Sequence, residues 1–470
     1  MKKEKLTKEE KATKLSLSNP LLKESLRIAG PAFVELVMST LFGMVDMIMV
    51  GRISPSAIAA VGLTNQPFNL LIAVFAALNV GTTALVAWNI GSHSVKDAQE
   101  VTRQSLKMGL ILGIIFSVLG VIAAPAVITF MGAQEDTFPL ATQYFQIVSS
   151  GLIFLVLNMV ITAALRGAGE TKIPMFYNLA ANLFNVFGNW VLIYGKLGFP
   201  RLEVAGAAIS TVVSRLLGCL AAFYVLYFSK RSMLALKYSE VKESRGLDSG
   251  IIKKIFSIGI PSALEQLVIQ SGLMFFGRIV AGLGTSVYAA HQIGLNINGL
   301  TFSPSQAFGV ASTTLVGQSL GANDPNKAEQ YANIIHKVGL IVACGVGLGF
   351  IIFSHPIARL YTDDLVVAAM AGTVLKIMAL AQPGQSTQLI LSGALRGAGD
   401  TTYPLIASLA GIWGIRVVLS HIFVRIFGWG LIGAWTAMVI DQYIRSFIVF
   451  LRFRSDKWKY KRALTVKQEE

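Results

Sequence analysis

Residues 31–51 read PAFVELVMSTLFGMVDMIMVG, an apolar run from Pro31 to Gly51 that carries two acids, Glu35 and Asp46. The run is as long as a membrane-spanning helix must be, roughly 20 residues for a ~30 Å hydrocarbon core. A charge at that depth costs at least about 2.5 kcal/mol, which a simple anchor has no reason to bear. An intramembrane acid reads first as an ion or proton site, and otherwise as a side chain that hydrogen-bonds a neighbouring helix. Glu35 and Asp46 lie about three turns apart and so share a helix face.

The composition extends this reading to the whole chain. Of 470 residues, 54% are hydrophobic and 14% charged, whereas soluble domains carry about 25% charged residues. This is a polytopic membrane protein. The net charge of +15 does not argue for nucleic acid, because Lys and Arg gather at the two ends and in a central loop, Lys230 to Lys254. That distribution is the cytoplasmic-loop bias of an inner-membrane protein. Cys219 and Cys344 lie in apolar segments and offer neither a disulfide framework nor metal spacing. The polar start of the chain has no signal-peptide pattern.

Apolar segments fall at 30–51, 66–89, 105–129, 140–165, 174–195 and 204–229, then at 251–281, 285–316, 331–353, 366–394, 402–426 and 430–451. The expected organisation is a basic cytoplasmic segment at 1–27, open to an interfacial helix, and a six-helix lobe at 28–229. A cytoplasmic linker at 230–250, a second six-helix lobe at 251–453 and a basic tail at 454–470 follow. Placing both termini in the cytoplasm puts most Lys and Arg inside.

The two lobes are a repeat. Leu165-Arg-Gly-Ala-Gly-Glu-Thr171 recurs 230 residues later as Leu395-Arg-Gly-Ala-Gly-Asp-Thr401. The same offset carries Pro31 and Glu35 onto Pro261 and Glu265, Pro174 onto Pro404, Gly91 onto Gly321 and Ala59-Ala60 onto Ala289-Ala290. Six spans separate the copies, so they run parallel. Transporters with this symmetry place a cavity between their halves; channels and membrane enzymes can also be duplicated.

Asp46 has no acidic counterpart, since the offset lands on Phe276. It is the leading cation or proton site. Glu265 and Glu35, each one turn past a proline, are further candidates, with Glu35 nearer the cytoplasmic end. The fifth span carries Asn178, Asn182, Asn185 and Asn189 at spacings that put four amides on one stripe. Amide oxygens are hard neutral ligands suited to a small cation, although amides also glue helices together. Asn189 lies as far past Pro174 as Asp46 lies past Pro31, which sets the two at similar depth, with Thr211 close enough to join them. The Leu-Arg-Gly-Ala-Gly-(Glu/Asp)-Thr copies read as tight turns in which the acid and Thr cap the next helix, with Arg166 and Arg396 as inner anchors. Gln382, Gln385 and Gln388 cluster around Pro383-Gly384, where a bend is expected. His291 reads as hydrogen-bonded packing or a proton relay, and Asp441 with Arg445 as an i, i+4 ion pair.

With these residues in place, the chain resembles the multidrug and toxic compound extrusion (MATE) family, in its bacterial NorM-like branch, from about Ser25 to Lys459. The stretches that carry the resemblance are Val45–Gly51, Ala163–Thr171, Gly206–Thr211, Gly259–Glu265, Leu315–Gly321 and Ala394–Thr401. It implies an all-α polytopic fold of twelve transmembrane helices in two pseudo-symmetric six-helix lobes arranged as a V. It also implies export of organic cations or amphipathic compounds against inward H+ or Na+, with no cofactor beyond that ion. Carried over residue by residue, the amino-terminal cation site falls on Asp46, Asn185, Asn189, Thr211 and the Ala207 carbonyl, with a contribution from Asn158. The carboxy-terminal site falls on Glu265. Two positions depart from the family pattern: a fifth-span Asp is Asn189 here, and a tenth-span acid is Gln385.

The resulting expectation is a non-enzymatic antiporter of the inner (plasma) membrane, monomeric, in contact with lipid and small amphipathic or cationic substrates, with no nucleic-acid partner. Asp46, Asn185 and Asn189 could hold Na+. Glu35, Asn158, Asn182, His291 and Gln385 are cavity or coupling residues. The rival within the same superfamily is a lipid-linked precursor flippase, which needs a cationic cavity; Arg215, Arg278 and Arg416 are its mid-span cations. An enzyme would need convergent His, Asp or Ser groups, and a channel a repeated filter; the sequence carries neither pattern.

Overall fold

The computed structural model describes residues 19–229, 232–236 and 246–461. The expected basic segment up to residue 18, most of the central linker and the tail beyond residue 461 lie outside the described residues. Twelve long helical rods account for nearly all of what is described. In chain order α1 is Pro20–Gly51, α2 Pro55–Gly91, α3 Val95–Phe130, α4 the pair Phe138–Ser150 and Leu152–Gly167, α5 Lys172–Tyr194 and α6 Glu203–Phe228. Then come α7 Ser249–Ala281, α8 Thr285–Gly321, α9 Pro325–Arg359, α10 Leu365–Gly397, α11 Thr402–Ile426 and α12 Gly430–Arg454. Eight of these are long and apolar enough to cross a membrane, nine when the bent pair of α4 counts as one span. Helices α5, α7 and α8 fall short of that measure, and they are the rods that carry the asparagine stripe, Glu265 and His291.

The helices are longer than the apolar runs. Helix α2 begins eleven residues before the run at 66–89, and α1 ten residues before the run at 30–51. Hydropathy reports only the part of a rod that sits in hydrocarbon, while backbone hydrogen bonding continues past it. The expected bend at Pro383-Gly384 is not a break: α10 runs on as one helix, and its glutamines are buried in protein. The breaks fall elsewhere. Helix α4 turns by 47° at Gly151, and α11 widens into π-turns over Leu409–Val417 and Ile422–Ile426.

Two compact units result, and they divide inside helices rather than in the linker. One is Val34–Gly259; the other holds the described residues up to Phe33 and from Ile260 onward. The cuts fall beside Pro31 and Pro261, where a helix loses a hydrogen bond and the proline ring crowds the preceding turn. The amino-terminal unit buries Phe75, Leu78, Val156, Leu165 and, from the start of α7, Ile255 and Ile258. In the carboxy-terminal unit Ile28 and Ala29 from the start of α1 pack on Phe308, Ala311, Leu315 and Tyr331. Leu234 and Leu236, within the expected linker, are buried in the amino-terminal core.

The repeat recurs in the geometry. After α4 and after α10 the chain turns through Gly169 and Gly399, at φ +85° and +79°. The next amide, of Glu170 or Asp400, closes back onto Leu165 O or Leu395 O at 2.8 Å, the helix-ending motif that favours glycine. The acids do not cap the following helices as expected. Glu170 accepts from the Met233 amide at 2.6 Å, and Asp400 pairs with Arg452 at 2.6 Å. Each acid points back over the turn toward another segment.

Candidate functional site

Within the amino-terminal unit two side-chain contacts join α1 to α5 at the same offset of 143 residues. At one level Glu35 Oε1 accepts from Asn178 Nδ2 at 2.7 Å, and eleven residues along both helices Asp46 Oδ1 accepts from Asn189 Nδ2 at 2.6 Å. The asparagine stripe therefore serves two levels.

The Glu35 level is an ion-paired network. Arg166 reaches Glu35 Oε2 at 2.9 Å. Asn158 Nδ2 donates to Asn178 Oδ1 at 3.1 Å, Thr162 donates to Asn158 Oδ1 at 3.2 Å, and Thr162 shares a 2.6 Å hydrogen bond with Tyr177. The carboxy-terminal unit builds the same frame from repeat-equivalent residues. Arg396 Nη2 donates to Glu265 Oε2 at 2.7 Å, and Ser408, which stands where Asn178 stands, donates to Glu265 Oε1 at 3.3 Å. Neither glutamate is left without a cation. Asn182, between the two levels, makes no side-chain hydrogen bond among the described residues.

The Asp46 level is different. Asn185 satisfies its amide when the nitrogen faces Asp46, donating to Oδ2 at 2.8 Å and to Oδ1 at 3.0 Å, while its oxygen accepts from the Thr211 amide at 3.2 Å. Amide orientation follows from such networks. Thr211 Oγ1 donates to the Ala207 carbonyl at 2.9 Å, and Ser210 Oγ donates to the Asn185 backbone oxygen at 2.8 Å. Asn185, Asn189, Ala207 and Ser210 are buried and Asp46 is half-buried. Asn189 Oδ1 is buried without a hydrogen-bond partner among the described residues. The five sequence-selected residues Asp46, Asn185, Asn189, Ala207 and Thr211 thus come together around one carboxylate. Tyr144 of α4, which approaches Thr211 and packs on the apolar cluster that includes Ala207 and Ile193, and Ser210 were missed. The 230-residue offset carries Tyr144 onto Val374, so the loss of a hydroxyl between the repeats was the available signal.

All the partners of Asp46 are neutral. Among the described residues the buried acids Glu35, Glu265, Asp400 and Asp441 each have an arginine partner, and Asp46 has none. No cluster of three or more His, Cys, Asp and Glu able to hold a metal occurs among the described residues. Donors to a single-ion site here would be carboxylate, amide and carbonyl oxygens, which suit a hard monovalent cation. Of these the Asn189 oxygen is the one that accepts no hydrogen bond among the described residues.

The carboxy-terminal residues do not assemble in the same way. Asp441 holds two arginines rather than the one expected. Arg416 donates to Oδ2 through Nε at 2.9 Å and Nη2 at 2.5 Å, and Arg445 lies 2.9 Å from Oδ1. A Cβ on Gly411 would sit 2.3 Å from both Asp441 Oδ1 and Arg445 Cγ. The glycine and the π-turn together bring α11 against α12. Gln385 is buried with neither amide atom partnered among the described residues. His291 is fully buried against Phe276, Tyr288 and Trp435, with neither ring nitrogen hydrogen-bonded among the described residues.

A family model described as MatE matches the chain twice, at residues 31–191 and 261–422, the two copies of the repeat. The chain belongs to the MATE family. A relative from Thermotoga maritima, "Probable multidrug resistance protein NorM", is 32% identical over 94% of this chain and 94% of its own length. "Uncharacterized transporter YisQ" from Bacillus subtilis is 30% identical over 92% of this chain and 94% of its own. Among solved structures, "Crystal structure of MATE in complex with MaD3S" superimposes with a TM-score of 0.86 at 25% identity, covering 93% of this chain and 96% of that one. The protein is a multi-pass membrane transporter of the MATE type, and its twelve helices match that fold.

Proposed function

We propose that this MATE transporter is a secondary active antiporter that exports amphipathic or cationic small molecules in exchange for an inward proton or sodium ion bound at Asp46. The observation that carries the reading is the contrast between Asp46 and the buried acids. A carboxylate matched by a fixed arginine has no need of a mobile cation, whereas one held by neutral amides in a membrane must be neutralised by something that comes and goes. Asp46 with Asn185, Asn189, Thr211 and the Ala207 carbonyl forms the site; turning the Asn185 or Asn189 amide would present an oxygen to sodium or to a protonated Asp46. Coupling follows only if the ion favours one access state over the other.

In this reading Glu35, Asn158 and Glu265 hold the frame. Substrate export is supported by the relatives that carry the multidrug-resistance name. The Lys and Arg bias supports cytoplasmic termini in the plasma membrane, and the transporter acts as a monomer. The test is dye efflux from inverted vesicles under a sodium gradient or a proton gradient imposed separately. Wild type responds to one of them and Asp46→Asn to neither; normal export by Asp46→Asn would remove Asp46 from the mechanism.

A further inference from the structure

In the carboxy-terminal unit Asp441 is one carboxylate set between two guanidiniums, whereas Glu265 and Asp400 each meet one. Arg396, Arg416 and Arg445 are met by two carboxylates, Glu265 and Asp441. The side chains of Arg416 and Arg445 are 3% and 6% exposed. A guanidinium does not give up its proton, so this array keeps one uncompensated positive charge. Inside a membrane bundle such a charge is costly unless it finds a partner.

A second, independent observation lies beside Arg416. Its guanidinium stands over the Phe276 ring, 5.6 Å from the centroid. His291 meets the same ring edge-on at 5.3 Å, and Trp435 meets His291 at 5.5 Å. His291 and Trp435 are fully buried. Neither ring nitrogen of His291 nor the indole Nε1 of Trp435 has a hydrogen-bond partner among the described residues. Buried polar groups are as a rule partnered, and an indole N–H can only donate. Surplus positive charge next to unpartnered donors is the chemistry of an anion site.

We propose that the carboxy-terminal unit binds one monovalent anion between Arg416 and the His291–Trp435 pair. The guanidinium and the indole N–H are its donors, and a histidine N–H completes the set. The ligand is a single negative charge with acceptor atoms only: a halide, or the carboxylate of a bound small molecule. Phe276 occupies the repeat position of Asp46, so the two units present sites of opposite sign at equivalent places in the duplicated scaffold.

The test is thermal unfolding of the purified full chain in sodium chloride, sodium acetate and sodium gluconate at equal ionic strength, gluconate being too bulky for a buried site. Wild type should gain a saturable rise in midpoint from chloride or acetate over gluconate. Chloride alone assigns a halide, and acetate alone assigns a carboxylate. Trp435→Phe should raise the half-saturating concentration about tenfold, the factor one hydrogen bond to a charged group is worth. Arg416→Gln leaves Asp441 with one arginine and a neutral array, and should unfold at one midpoint in all three salts. Asp46→Asn should keep the full anion dependence, which separates this site from the proposed coupling site. Equal wild-type midpoints in the three salts, or anion dependence unchanged in both Arg416→Gln and Trp435→Phe, would overturn the proposal.

Discussion

The polar centres of the two units occupy matching places in the repeat and have opposite chemistry. The 230-residue offset carries Asp46 onto Phe276, Asn185 onto Ile415, Asn189 onto Leu419, Thr211 onto Asp441 and Arg215 onto Arg445. In the amino-terminal unit the acid is on the first helix of its repeat and faces amides. In the carboxy-terminal unit it has moved to the last helix, one turn from Arg445, where Arg416 joins it. Arg215, the counterpart of Arg445, is half-buried and has no acid to pair with among the described residues. The surrounding frame is retained: Glu35–Arg166 at 2.9 Å matches Glu265–Arg396 at 2.7 Å. Thr83 to Ala163 O at 3.0 Å matches Thr313 to Gly393 O at 2.9 Å. Duplication has conserved the contacts that hold helices together and varied the charge at the centre. An acid beside fixed arginines is permanently neutralised, whereas the acid beside amides has no fixed countercharge, which is the ground for the mobile ion proposed above.

The contrast can be broken most sharply at its two acids. Asp46→Asn should reduce coupled dye efflux to background while leaving insertion and the melting midpoint close to wild type, read by efflux and by size-exclusion of the solubilised protein. Asp441→Asn should do the reverse of a specific lesion. It strands two buried guanidiniums and should cost about 3–5 kcal/mol of stability, seen as loss of monodisperse protein; a midpoint equal to wild type would refute the ion-pair account. Next in size, Asn189→Leu removes both the hydrogen bond to Asp46 and the free oxygen. It should weaken ion dependence of efflux about tenfold or more, the value of one hydrogen bond to a charged group, with little change in folding. In the frame, Glu35→Gln and Glu265→Gln should each destabilise by about 1–3 kcal/mol. The Glu265 change should be the larger, because its side chain is 1% exposed against 9% for Glu35. Thr313→Val should cost about 1 kcal/mol and Thr83→Val much the same, and a large difference between them would show that the frames are not equivalent.

Much of this was legible in the chain. The apolar runs located all twelve helices, because in hydrocarbon a backbone must satisfy itself as helix and the side chains must be apolar. The offset between Arg166 and Arg396 located the repeat. Asp46 stood out by its cost, and its distance past Pro31 matched that of Asn189 past Pro174, which suffices to set two parallel helices at one depth. Other features needed the fold. Helix ends beyond the apolar runs carry no hydropathy signal. The acids of the glycine-rich turns looked like caps, but their partners, the Met233 amide and Arg452, lie in distant segments. Nothing local in α11 tells that Arg416 turns toward Asp441, since that depends on a π-turn and on Gly411 letting two helices close.

The sequence by itself determined the membrane class, the number and order of the helices, the duplication and the identity of the unusual acid. Each of these rests on periodicity, hydropathy or spacing along one chain. Only the tertiary structure decided which charges are already matched. Whether Glu35, Glu265, Asp441 or Asp46 is free to take an ion depends on an arginine contributed by another helix, tens or hundreds of residues away. A hydrogen-bonded ion pair forms only when the two groups come within about 4 Å, a separation that no spacing in sequence specifies.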